Sequence, residues 1–138
     1  MRGRETADDS GSRSLRHDYW GVVLEAPDAR ALAEFYSALL GWELELADDD
    51  PDFATVAARD GVAYVGFQTA PTYVPPTWPP VEGDPQMTMH LDFEVSDLDT
   101  AVGHAIELGA RLAEHQPQPS VRVLLDPAGH PFCLYVDD

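Results

Sequence analysis

From Tyr19 onward the chain alternates between two hydrophobic periods. YWGVVLEA reads as a strand, and in PDARALAEFYSALLG the residues Ala31, Leu32, Phe35, Tyr36, Leu39 and Leu40 recur at helical spacing. Pro27 and Asp28 open that helix and Gly41 closes it. WELELA, DFATVAA and VAYVGFQ follow as three strands, separated by the turn segments DDDPD and RDG. After TAPTYVPPTWPPVEGDPQ, which holds six of the twelve prolines and reads as an extended connection, the same order returns. MTMHLDFEV predicts a strand, and SDLDTAVGHAIELG a helix with Leu98, Ala101, Val102, Ala105 and Ile106 on one face. Ser96 and Asp99 stand at capping-box spacing, and Gly109 is the stop. RLAEH, VRVLL and PFCLYV supply three more strands, with DPAG turning between the last two.

This is an internal repeat. Laying Asp28 on Asp97 brings Glu25 onto Glu94 and Leu24 onto Phe93; one deletion in the second helix then aligns Leu40-Gly41 with Leu108-Gly109. Each βαβββ module, about 19–69 and about 87–138, is too small to bury a good core alone. The two, joined by a linker over 70–86, are therefore expected to pair into one eight-stranded α+β domain over 18–138. Residues 1–17 are rich in Ser, Gly, Arg and Asp and read as a disordered tail.

Charge narrows the function classes. The formal net charge is -17, and residues 18–138 hold 22 of the 25 acids against four of the eight Arg. Phosphate binding needs a basic surface, so a nucleic-acid role is disfavoured. A cationic ligand would be welcomed. The single Cys allows no intrachain disulfide, and there is neither an apolar leader nor a run near the roughly 18 apolar residues of a membrane span. A cytoplasmic protein without membrane or nucleic-acid partners is expected.

LEAPDARALAEFYSALLGWEL, HLDFEVSDLDTAVGHAIELGARL and LLDPAGHPFCLYV resemble the glyoxalase/bleomycin-resistance/dioxygenase superfamily, the vicinal oxygen chelate proteins, and in particular its short actinobacterial-type glyoxalase-like domains. The resemblance covers nearly everything from Tyr19 on. It implies a U-shaped sheet with helices on the convex face and a site on the concave face, and pairing as a homodimer. The fold hosts isomerases, lyases, dioxygenases and metal-free drug-binding proteins, so it does not itself choose a function.

Metal-dependent members resemble one another in placing His or Glu ligands on the first and last strand of each module. In MHLDFEV the apolar Met89, Leu91, Phe93 and Val95 alternate with His90, Asp92 and Glu94, so the polar set faces the cavity, and His90 matches the second-module histidine. The same count in module one reaches Gly21, and aligning Gly61 with Gly129 puts Val65 and Cys133 at the two last-strand positions. His90 and Cys133 are then the only donors for a nonstandard site, and two do not hold a catalytic zinc. No cofactor is favoured, with a divalent metal as the lesser alternative, rescued if Asp92, Glu94 or Glu25 contributes.

His90 reads as a donor or general base, or as a cavity histidine hydrogen-bonded to Asp92. Glu25 and Glu94 form a candidate acid/base or cation-binding pair, or are solvated strand-end acids. Cys133 reads as an inert packed thiol unless something cationic activates it. His130 reads as a residue that fixes the turn or caps the last strand. Trp78 is either a lid with a stacking face or the anchor of the linker. With Tyr135, these give the ligand-binding set His90, Asp92, Glu94, Glu25, Trp78, Cys133 and Tyr135. Two functions follow: metal-free binding of a small cationic or aromatic molecule, and a lyase or isomerase acting on a small oxygenated metabolite with His90 as base or metal ligand.

Overall fold

The computed structural model describes residues 19–137; the tail expected over 1–17 lies outside them. The chain forms two compact units that meet in sequence between Pro71 and Thr72. Among the described residues no helix is long and apolar enough to cross a membrane.

The first unit runs β1 (Trp20–Ala26), α1 (Ala29–Leu40), β2 (Glu43–Leu46), β3 (Phe53–Ala57) and β4 (Ala63–Thr69). Its sheet has the order β1-β4-β3-β2, with β1 and β4 parallel and the other pairs antiparallel. Asp28 caps α1 by accepting a hydrogen bond from the Ala31 N–H at 3.0 Å, and Gly41 ends it at φ 66°, a conformation that costs glycine little. Helix α1 buries Ala29, Leu32, Ala33, Phe35 and Tyr36. Ala31, expected on this face, is exposed; with alanine at 29, 31 and 33, hydropathy does not distinguish the three positions. Tyr36 stacks on Phe67 of β4 at 5.5 Å and meets Phe35 edge-on at 5.0 Å, which locks the helix to the sheet.

The second unit repeats the plan with β5 (Leu91–Glu94), α2 (Leu98–Glu107), β6 (Arg111–Leu112), β7 (Val121–Leu125) and β8 (Pro131–Tyr135). Its order is β5-β8-β7-β6, again with first and last strands parallel. The cap of α2 is Asp97, which accepts from the Thr100 N–H at 2.7 Å, and not Ser96. The N-caps of the two helices thus coincide in the repeat. Two expected strands are shorter. Strand β5 begins at Leu91, leaving Met89 57% exposed, because the next partner in register, Pro131, has no N–H to extend the ladder. Strand β6 keeps only Arg111 and Leu112 of RLAEH. Ile106, expected in the core, is 47% exposed, and Ala105 is the one fully buried residue of α2.

The proline-rich segment belongs to this second unit and is tied to the turn between β7 and β8. Asp126, 1% exposed, accepts hydrogen bonds from the N–H groups of Ala128 (2.9 Å) and His130 (3.0 Å), and its other oxygen meets His130 Nδ1 at 2.8 Å. Tyr73 donates its hydroxyl to the Ala128 carbonyl at 2.9 Å and lies 3.2 Å from His130 Nε2. Pro75 packs so closely on Gly129 that a Cβ there would sit 2.9 Å from the Pro75 Cβ. His130 therefore serves the turn, as its sequence position suggests.

Candidate functional site

In module two, register decides which side chains share a face. Asp92 pairs with Cys133 and Cys133 with Val123; Glu94 pairs with Tyr135 and Tyr135 with Val121. Side chains alternate along a strand, so these residues share one face while Phe132, Leu134 and Leu124 are buried on the other, against α2. On the open face lies a cavity of about 260 Å³. Its floor is Val121, Val123, Pro131, Cys133 and Tyr135; His90 and Asp92 form one edge, and Trp78, Met87, Pro117 and Gln118 close the rest. Five residues proposed from sequence, His90, Asp92, Trp78, Cys133 and Tyr135, thus meet around one space. Glu94 is exposed on the same face but does not line the cavity. Glu25 is exposed on β1 of the first unit.

The polar edge is internally bonded. His90 Nε2 lies 3.1 Å from Asp92 Oδ1, with the two side chains 40% and 54% exposed. Burial first, then the charge and hydrogen bonding of Asp92, push the Cys133 thiol up to about 12. The raised pKa leaves less thiolate to act as a nucleophile, and the side chain is half-buried. Trp78 donates its indole N–H to the His115 carbonyl at 3.3 Å, a contact that suits the anchoring role, and it also lines the cavity. Pro117 and Gln118 had no sequence signal, since they lie outside the expected strands; Met87, read from sequence as the start of the MTMHLDFEV strand with the apolar parity, instead lies before β5 and lines the cavity.

A divalent ion is the cofactor that the fold implies, and the donor chemistry tests it. One ligand atom each from His90, Asp92 and Cys133 lies within 4.8 Å of the others. Asp92 adds a third donor to the two counted from sequence, and nitrogen, oxygen and sulfur together suit a zinc-type ion better than calcium or magnesium. The residues fit such an ion in number and kind. Bound there, it would supply a Lewis-acid centre with an open position. Binding would take the proton from Cys133 and displace the bonds that now satisfy the cluster.

Among the described residues module one has no such cluster of ligand atoms. Its open face carries Gly21, Val23 and Glu25 of β1 beside Tyr64, Gly66 and Gln68 of β4. Val65, aligned by sequence with Cys133, is instead buried on the helix side. Since Glu25 pairs with Gln68 as Glu94 pairs with Tyr135, the residue matching Cys133 is Gly66. Both positions are crowded: a Cβ on Gly21 would stand 2.5 Å from the Tyr64 ring, and one on Gly66 3.1 Å from Val23 Cγ2 and 3.3 Å from the Phe53 ring.

Two βαβββ modules whose outer and last strands run parallel define the vicinal oxygen chelate class of α+β fold. Solved structures agree. The chain is similar to a glyoxalase/bleomycin resistance protein/dioxygenase family enzyme from Burkholderia phytofirmans PsJN (TM-score 0.63, 22% identity, 84% of this chain and 95% of that one). It is also similar to the fosfomycin resistance protein FosX of Mesorhizobium loti (TM-score 0.61, 12% identity, 86% and 91%). A glyoxalase-related enzyme from Fulvimarina pelagi resembles it to the same degree (TM-score 0.62, 16% identity, 85% and 86%). A family model for the glyoxalase-like domain matches residues 21–135, and the chain belongs to that family. No curated protein sequence matches it.

Proposed function

We propose that this glyoxalase-like domain binds a small molecule in the module-two cavity without requiring a metal ion. The carrying observation is the cavity itself: an apolar and aromatic space with a carboxylate and an imidazole on one edge. The contact of Asp92 with His90 at 3.1 Å supports the metal-free form, since the two side chains already partner each other. The acidic edge and the Trp78 and Tyr135 rings suit a cationic aromatic ligand, held by charge and stacking. In a thermal-shift series such compounds are expected to raise the melting temperature by an amount that shrinks with added salt. Stabilisation by neutral or anionic compounds alone would refute the cationic preference.

Elemental analysis tests the metal-free form. Substoichiometric zinc, iron, nickel and manganese are expected in the purified protein. Near-stoichiometric metal that disappears in His90→Ala would place an ion on the cluster and overturn this part of the reading.

A second reading is favoured by one contact, the 3.1 Å approach of Asp92 to His90. A carboxylate so placed orients an imidazole as a general base, and the protein would then be a lyase or isomerase acting on a small oxygenated metabolite. The proposal also carries over the family's homodimeric assembly and a cytoplasmic location.

A further inference from the structure

Trp78 borders a second hollow in the same unit. It has a volume of about 630 Å³, and Trp78, Pro79, Arg111, Leu112, His115 and Leu125 are among its walls. Register explains how Arg111 reaches it. Arg111 pairs with Leu125 across β6 and β7, and Leu125 has the parity of Val121 and Val123, which floor the first cavity. One sheet face therefore carries the acidic edge at β5 and a guanidinium at β6, with the Trp78 ring bordering both spaces.

Arg111 differs from the other three described arginines. Arg30 donates to the Ala47 carbonyl at 3.1 Å, Arg59 pairs with Glu43 at 3.0 Å, and Arg122 donates to the carbonyls of Pro119 and Val121 at 2.8 and 2.9 Å. Among the described residues Arg111 alone of these has neither a hydrogen-bond acceptor nor an ion-pair partner, although Glu114 shares its hollow. In a chain of net charge -17, acids to pair with it are plentiful. The guanidinium instead borders an open space beside an indole whose orientation the His115 carbonyl fixes. A planar fork of donors next to an aromatic wall matches a carboxylate attached to a flat ring.

We propose that this hollow is a carboxylate subsite, in which Arg111 receives the acid group of a small aromatic ligand whose ring lies against Trp78. The assignment deepens the reading of the first cavity and rests on it for one point: a ligand spanning both spaces carries its cationic end toward Asp92 and its carboxylate toward Arg111.

The test uses the full chain with three matched probes, benzoate, benzamide and benzylamine, in calorimetric titrations at low and high salt. Benzoate is expected to bind roughly tenfold more tightly than its neutral isostere benzamide, and to lose about that factor in Arg111→Gln, the scale of one charge-assisted bidentate contact. Benzylamine binding should be unchanged in Arg111→Gln and weakened in Asp92→Asn. The subsite is overturned if benzoate binds no better than benzamide, or equally well to Arg111→Gln. Failure of benzoate with retained benzylamine binding refutes the carboxylate subsite alone. Failure of benzylamine with Arg111-dependent benzoate binding leaves the subsite standing and removes the cationic reading of the first cavity.

Discussion

Replacing Asp126 with alanine is expected to remove about 3–5 kcal/mol of stability, the scale of breaking a buried, hydrogen-bonded charged contact from one side. The carboxylate is 1% exposed and serves three donors within four residues: the Ala128 N–H, the His130 N–H and the His130 ring nitrogen. Without it two half-buried amides lose their acceptor, and an orphaned donor costs up to about 1–3 kcal/mol when fully buried. The damage should also travel along the chain. His130 holds Tyr73 at 3.2 Å, and Tyr73 with Pro75 seats the segment that ends at Trp78. Loosening the turn would therefore loosen a wall of the cavity, and probe binding should weaken along with stability. Urea unfolding measures the first effect and calorimetry the second. A variant that unfolds at the parent's midpoint would show that the turn does not depend on this carboxylate.

The same turn gives the parent an alkaline limit. Burial first, then the negative charge of Asp126, push Tyr73 up to about 12 from 10.0. The folded state thus holds the phenol proton more tightly than the unfolded chain does. The corresponding stability is complete below pH 10 and is lost as the pH rises through about 12. In Asp126→Ala the burial contribution remains and the charge contribution goes.

How legible this was in the sequence depends on the range of each interaction. Helix starts and stops rest on neighbours, so Asp28, Gly41 and Gly109 could be read directly; only the choice between Ser96 and Asp97 needed the backbone. The alternation in MHLDFEV put Asp92 and Glu94 on one face, and that parity holds in β5, since a period of two survives any detail of packing. The pairing of Val65 with Cys133 did not survive. The repeat was aligned through Gly61 and Gly129, and an error of one residue in register carries a side chain to the other face of the sheet. Arg111 was passed over because β6 shrinks to two residues, and nothing local says that the end of so short a strand borders a hollow. The bond between Tyr73 and His130 spans 57 positions, and no local pattern announces it.

Restoring the missing first-module ligand by Gly21→His is expected to fail as a simple addition, at a cost of about 1–3 kcal/mol, because the site is filled. A Cβ at residue 21 would stand 2.5 Å from two carbons of the Tyr64 ring, well inside contact distance, before any imidazole is added. The ring cannot move without exposing the surface it covers. The double variant Gly21→His with Tyr64→Ala removes the obstacle, and it should recover part of the loss seen with Gly21→His alone while still paying for the smaller side chain at residue 64. Chemical denaturation of the single and double variants gives the coupling directly. Additive losses would mean that Tyr64 does not guard the position. Strong coupling would show that the first module's site is closed sterically as well as chemically: glycine at residue 21 is there because Tyr64 occupies the space a ligand would need. On that account the two modules have diverged at this position, one filled by the Tyr64 ring and the other left bordering a cavity.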